Sequence, residues 1–271
     1  MVRVLAAVLL LSAVQPLAAE ELKKETVQAW DRYVGWAGAK VRRELSDPKE
    51  FLIQDNLPPA ERAAVLRQIE SGGIYVSRMG GVVPSGTRFE VPGGEIHHWW
   101  GAILLRNVSL PKLLKFLQDY NNHAGKFADV ERSRIISADG DRFHVFFRFS
   151  RSKAFVTAVY NTEQDCLYTH HGPGRASSQS VATKLAEVED PDTASERERR
   201  PGDDRGFLWR LVSWWRYEQR GNDVIVELES ASLSRDIPGF VKFLPGVSNY
   251  IRSTPKESLE SVLASIRTHV K

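Results

Sequence analysis

Cysteine is almost missing from this sequence: Cys166 is the only one in 271 residues. A lone thiol excludes an internal disulfide framework and every metal site built from several cysteines. An excess of charge of one sign is missing too, with 37 Lys and Arg against 34 Asp and Glu. Bulk charge therefore gives no basis for nucleic-acid binding or for strong adhesion to an acidic membrane. Beyond the first twenty residues no apolar run approaches membrane-spanning length. There are no repeats, no Ser-centred nucleophile elbow, no phosphate loop and no HExxH pair. What the chain does have is aromatics: seven Trp, seven Tyr and twelve Phe in a sequence that is 42% hydrophobic. Its length suits one large domain or two small ones with a sizeable core.

The first twenty residues read as a secretory leader. Arg3 precedes an apolar run from Val4 to Leu11, and Pro16-Leu17-Ala18-Ala19 then precedes the charged Glu20. A basic start, a short apolar stretch and small residues at its end define such a leader over 1–19. The mature chain is expected outside the cytoplasm, periplasmic or extracellular. The competing reading of the same segment is a retained membrane anchor. No cysteine follows it, so lipid attachment there is excluded.

In the remainder, Val27, Trp30, Val34, Ala37, Val41 and Leu45 recur at spacings of three and four. They predict an amphipathic helix over 22–45 with one face to bury, ended by Asp47-Pro48. A second helix is expected from Pro59 to Glu70 and a third from Ser109 to Tyr120, with Ser109 as cap and Pro111 in the first turn. Strands are expected at 74–79, 87–91, 95–105, 130–138, 141–150, 154–161, 165–171, 178–188, 206–219 and 223–233. Thr254-Pro255-Lys256-Glu257 reads as the capping box of a closing helix whose buried stripe is Leu259, Val262, Leu263, Ile266 and Val270. The charged, Pro- and Ser-rich segment Glu189 to Asp204 reads as a solvated, mobile loop.

Two turns set strand registers. Gly221-Asn222 pairs Arg220 with Asp223, and then 218 with 225, 216 with 227 and 214 with 229. One face of that hairpin holds Trp209, Leu211, Ser213, Trp215 and Tyr217; the other sets Arg216 across from Glu227. Asp139-Gly140 marks a second hairpin, with Phe143, Val145, Phe147 and Phe149 on one face. A simple register places Arg132 and Arg134 among those phenylalanines. That would make them a polar feature of a cavity, unless the hairpin carries a bulge that turns them away. The fold class is α+β: a curved antiparallel sheet gripping a long C-terminal helix, with an added N-terminal helix.

Several segments resemble the START-like (SRPBCC, helix-grip) superfamily of lipid-transfer domains and polyketide cyclase/dehydrases, in its secreted bacterial form. They are Leu110-Pro111 with Phe116-Leu117-Gln118-Asp119-Tyr120, Val156 to Asn161, and Ser180 to Val188. Trp214-Trp215-Arg216-Tyr217 and Val226 to Pro238, through Ser234-Arg235-Asp236-Ile237, complete the set. The resemblance covers roughly 72–270. It divides the chain into a leader (1–19), a helical extension (20–71) and a helix-grip domain (72–271). It implies a mainly apolar cavity between the sheet and the C-terminal helix, and leaves function open, because such folds host carriers and enzymes alike.

The expected function is binding or transfer of a hydrophobic small molecule such as a lipid, sterol or quinone. The alternatives are a cyclase/dehydrase-like enzyme, which needs an acid or base inside the cavity, and a protein-interaction module docking through residues 22–45. Trp99, Phe127, Phe147, Tyr160, Trp209, Trp215, Phe240 and Phe243 are the expected cavity-lining residues. Arg216, Glu227, Glu229 and Arg235 form either a structural ion-pair network or a polar anchor for a ligand head group. His97-His98 and His170-His171 lie on strands, where neighbours point to opposite faces, so neither pair chelates a metal by itself. No catalytic set, metal or cofactor is expected, and Cys166 reads as a small buried hydrophobe. The partners expected are an apolar small molecule and no nucleic acid, with a transient membrane contact left open.

Overall fold

The computed structural model describes residues 22–79, 89–153, 156–200, 203–236 and 247–270. The expected leader, Phe240 and Phe243 lie outside the described residues. The chain opens with α1 (Lys24–Ser46) and α2 (Pro59–Glu70). Two strands follow, β1 (Tyr75–Arg78) and β2 (Gly94–Leu105), and then α3 (Leu110–Gln118). An antiparallel meander comes next: β3 (Val130–Asp139), β4 (Arg142–Lys153), β5 (Val156–His170) and β6 (Arg175–Glu189). After the two-residue β7 (Arg197–Glu198), β8 (Arg210–Arg220) and β9 (Asp223–Arg235) precede the closing α4 (Val247–His269). The sheet runs in the order β1-β2-β9-β8-β6-β5-β4-β3, with β7 paired to β6 and every pairing antiparallel. This is the α+β helix-grip arrangement expected from the sequence.

α4 lies on the inner face, where Leu259, Leu263, Ile266 and Val270 join the core formed with Ile103, Leu113, Val226 and Leu228. Gly101 of β2 makes the close approach possible. A Cβ there would stand 2.6 Å from Leu259 and 2.8 Å from Leu263. On the outer face, α1 packs Trp30, Tyr33, Ala37 and Val41 against Trp209, Val212, Trp214 and Leu233. Beside it, Phe51, Leu52, Val65 and Ile69 cover Trp100, Ala102 and Ile225. β9 is therefore buried along nearly its whole length, on both faces. The apolar face that the sequence offers to a partner protein through residues 22–45 covers the chain's own sheet instead. The driving force is removal of both aromatic surfaces from water.

The hairpin at Gly221-Asn222 has the expected register, from Arg220 opposite Asp223 to Trp214 opposite Glu229. The hairpin at Asp139-Gly140 carries two register shifts, one between Val130 and Arg132 and one between Ile135 and Ser137. They bring Ser133 and Ile135 opposite Phe147 and Val145, and Arg134 turns outward over the ring of Phe146 at 5.0 Å. The bulge resolves the conflict of arginines among phenylalanines.

Four other expectations need correction. Residues 89–91 are not a strand; Phe89 and Val91 pack under α1. The strands expected at 154–161 and 165–171 are one continuous β5. α4 starts at Val247, so the Thr254-Glu257 box lies inside the helix, where Glu257 pairs with Arg151 at 3.2 Å instead of closing a cap. The acidic and basic segment after β6 is folded back on the sheet. Glu196 takes two hydrogen bonds from the buried Arg148 at 2.8 and 3.0 Å, and β7 pairs with the end of β6.

Candidate functional site

Between the inner face and α4 lies a cavity of about 140 Å³. Strand alternation supplies most of its wall. β4 contributes Phe147 and Phe149; β5 contributes Gln164, Cys166 and Tyr168; β6 contributes Ser178 and Ser180; β8 contributes Ser213, Trp215 and Tyr217. Tyr120, His123 and Phe127 come from the turn after α3, and Val262 closes the side toward α4. His123 stacks on Phe147 with ring centroids 6.0 Å apart and planes 18° apart, and lies 4.8 Å from Phe127.

Among the described residues the wall is polar without being charged: no Asp, Glu, Lys or Arg is among the described lining residues. Tyr120 and Tyr168 share a hydrogen bond of 2.9 Å between their hydroxyls, as do Ser178 and Tyr217. Cys166 Sγ donates to Ser180 Oγ at 3.3 Å, and Ser180 donates onward to Gln164 Oε1 at 2.6 Å. Burial pushes the Tyr120, Tyr168 and Tyr217 hydroxyls above their ordinary pKa and also raises the Cys166 thiol. Burial lowers His123 to about 4. At neutral pH Tyr120, His123, Cys166, Tyr168 and Tyr217 are therefore all uncharged.

Of the expected cavity residues, Phe127, Phe147 and Trp215 stand on the wall. Trp99 packs against the inner-face core away from the cavity, and its indole N–H meets no acceptor among the described residues. Tyr160 is buried on β5 between Phe149 and Glu187, also off the wall. Trp209 belongs to the opposite face. β8 begins one residue later, so strand alternation does not reach it; its ring sits in the α1 cluster and its indole donates to Asp204 at 2.9 Å. The polar half of the wall is missing from the expected set. Tyr217 shares the parity of Trp215, which is a usable signal. Gln164, Cys166 and Tyr168 fall into line only once β5 is continuous through Asn161–Gln164.

The charged constellation lies on the outer face, beneath α1, on the far side of the sheet from the cavity. Arg216, Glu227 and Glu229 are each 0% exposed. Arg216 pairs with Glu44 of α1 at 2.7 Å and Glu229 at 3.3 Å, and donates to the Phe51 carbonyl at 3.2 Å. Glu229 also lies 3.0 Å from His98 Nε2, and Tyr33 of α1 meets His98 Nδ1 at 2.7 Å. Burial pushes Glu229 up, but His98, Lys40 and Arg216 outweigh it and hold the carboxyl below its usual range. Glu227 accepts the backbone N–H groups of Ile53 and Gln54, yet burial pushes it up to about 7. Arg235 is buried against the backbone of Arg205 and Gly206. Arg216, Glu227 and Glu229 tie the N-terminal segments to the sheet, and none of the four is among the described residues that line the cavity.

No protein-family model and no curated protein matches the chain. Among solved structures it is similar to a STAR-related lipid transfer protein from Xanthomonas axonopodis. That match has 17% identity, covers 67% of this chain and 95% of that one, and has a TM-score of 0.45. It is also similar to a START superfamily protein from Mycobacterium smegmatis, at 8% identity, with 64% and 97% covered and a TM-score of 0.41. A third is the Zhui aromatase/cyclase from Streptomyces sp. R1128, at 12% identity, with 65% and 97% covered and a TM-score of 0.38. At identities and scores this low, the likeness says nothing about ligand or activity.

Proposed function

We propose that the protein binds a hydrophobic small molecule in the cavity between the sheet and α4. The observation that carries this reading is the wall itself. It has an aromatic side of Phe127, Phe147, Phe149 and Trp215, a neutral hydrogen-bonding side, and no charged residue among the described lining residues. Apolar surface with a few fixed polar groups is the usual make-up of a small-molecule site. Purification under native conditions, solvent extraction and mass spectrometry should recover an apolar molecule with the protein. The Trp215→Ala and Phe147→Ala variants should lose it. A wild-type extract no different from a blank would sink the proposal.

The cyclase/dehydrase alternative has one observation behind it, the presence of His123 and Tyr120 on the wall. Efficient acid–base catalysis wants a group with a pKa near the working pH. His123, held at about 4, and tyrosines raised by burial stand on either side of neutrality. Binding without chemistry is therefore the better-supported reading. The protein is proposed to act outside the cytoplasm. The support is the sequence of residues 1–19 alone, and N-terminal sequencing of the exported fraction tests it, with a start near Glu20 expected. Among the described residues no helix is long and apolar enough to cross a membrane.

A further inference from the structure

The cavity carries more information than its apolar character, because the hydrogen bonds of its wall can be traced. One group of side chains forms a continuous chain of donors and acceptors. Tyr120 and Tyr168 share one hydrogen bond between their hydroxyls. Cys166 donates to Ser180 and Ser180 donates to Gln164. Gln164 Nε2 donates to Thr162 Oγ1 at 3.4 Å. In the other group, Ser178 and Tyr217 have two hydroxyl protons and make a single hydrogen bond of 2.9 Å. Neither has a second side-chain partner among the described residues. One O–H is left without an acceptor on a buried wall, where an unsatisfied donor is unfavourable.

Size and charge narrow the choice further. A volume of about 140 Å³ is well below the roughly 300–1,000 Å³ of pockets for drug-sized ligands. It is close to that of a roughly 150 Å³ protein cavity known to accept benzene. A carboxylate or phosphate inside would have no cation among the described lining residues to pair with, and an unpaired buried charge is strongly disfavoured. We infer that the cavity takes a neutral, single-ring molecule bearing a carbonyl or ether oxygen. The ring lies against Phe147, His123 and Trp215, and the oxygen accepts the spare proton of the Ser178–Tyr217 pair. This deepens the binding role proposed above and rests on it.

Titration calorimetry with three probes of similar size tests the assignment: acetophenone, ethylbenzene and benzoate. Acetophenone should bind about tenfold more tightly than ethylbenzene, the worth of one net hydrogen bond, and benzoate should not bind. The Tyr217→Phe/Ser178→Ala double variant should bring acetophenone down to the affinity of ethylbenzene while leaving ethylbenzene within about twofold. Should the double variant fail to fold, the wild-type ladder decides alone. Equal affinity for acetophenone and ethylbenzene would overturn the oxygen contact and leave hydrophobic binding standing. Preference for benzoate would overturn the claim of neutrality. Failure of all three probes would overturn this ligand class, and the extraction experiment would then show separately whether the cavity binds a hydrophobic molecule of another kind.

Discussion

Arg216 shows how much can rest on one side chain. It is fully buried, with carboxylates of Glu44 and Glu229 at 2.7 and 3.3 Å. Truncation to Ala would leave those carboxylates without their guanidinium, which costs about 3–5 kcal/mol. Urea unfolding should show that loss for Arg216→Ala. The control Arg106→Ala removes an exposed pair with Asp223 and should cost about 1 kcal/mol or less. Glu227 gives a pH signature. Its carboxyl is raised from 4.5 to about 7 on folding, so the folded state holds the proton more tightly than the unfolded one. Its stabilising contribution is complete at the acid end of that window and is lost as pH rises through it, by about 3 kcal/mol in total. Unfolding midpoints should therefore fall between pH 5 and 7.5, and Glu227→Gln should flatten the slope. A wild-type stability that rises over this range would contradict the assignment. The facing of Arg216 and Glu227 was legible from the turn at Gly221-Asn222 alone. That both are entombed was not, because Glu44 is 172 residues from Arg216 and nothing local to either announces the contact.

At the scale of elements, α4 and the sheet are held at a distance set by Gly101. A methyl group there would meet Leu259, Leu263 and the Tyr75 carbonyl at 2.6–2.8 Å. Neither the helix core nor a backbone oxygen can yield cheaply, so Gly101→Ala should cost about 1–3 kcal/mol. The same variant should weaken ligand uptake, since lifting α4 moves Val262 off the cavity wall. Thermal unfolding and calorimetry on one preparation check both effects. Elements whose pattern is local were read correctly: α2 residue for residue, the cap and first-turn proline of α3, and the β8–β9 hairpin. The failures occurred where tertiary packing overrides a local signal. The capping box at Thr254 is chemically sound, yet the helix continues through Pro255. Polar residues at Asn161–Gln164 look like a break in a strand, but Thr162 and Gln164 are buried hydrogen-bonding members of β5. The neutral polar wall of the cavity was missed for the same reason. A search for aromatics finds one half of a lining and passes over the Ser and Gln opposite.

For the whole molecule, the N-terminal helices and the sheet share continuous cores, with α1 and the 51–69 segment covering β2, β8 and β9. They should unfold in one step. Tryptophan fluorescence and far-UV circular dichroism in urea should give coincident transitions, and two separate midpoints would show that the extension is an independent unit. Removal of residues 22–46 would bare Trp214 together with Arg216 and Glu229, and a chain so shortened should bind a hydrophobic dye or fail to fold. The position of α1 also imposes an order on events during synthesis. This helix leaves the ribosome well before the strands it covers, 210–235. At translation rates of roughly 5–20 residues per second, the nascent helix waits on the order of ten seconds or more for its docking surface. Throughout that interval Trp30, Tyr33 and Val41 are without the partners they have in the folded chain, and their apolar surface stays open to water until β8 and β9 arrive.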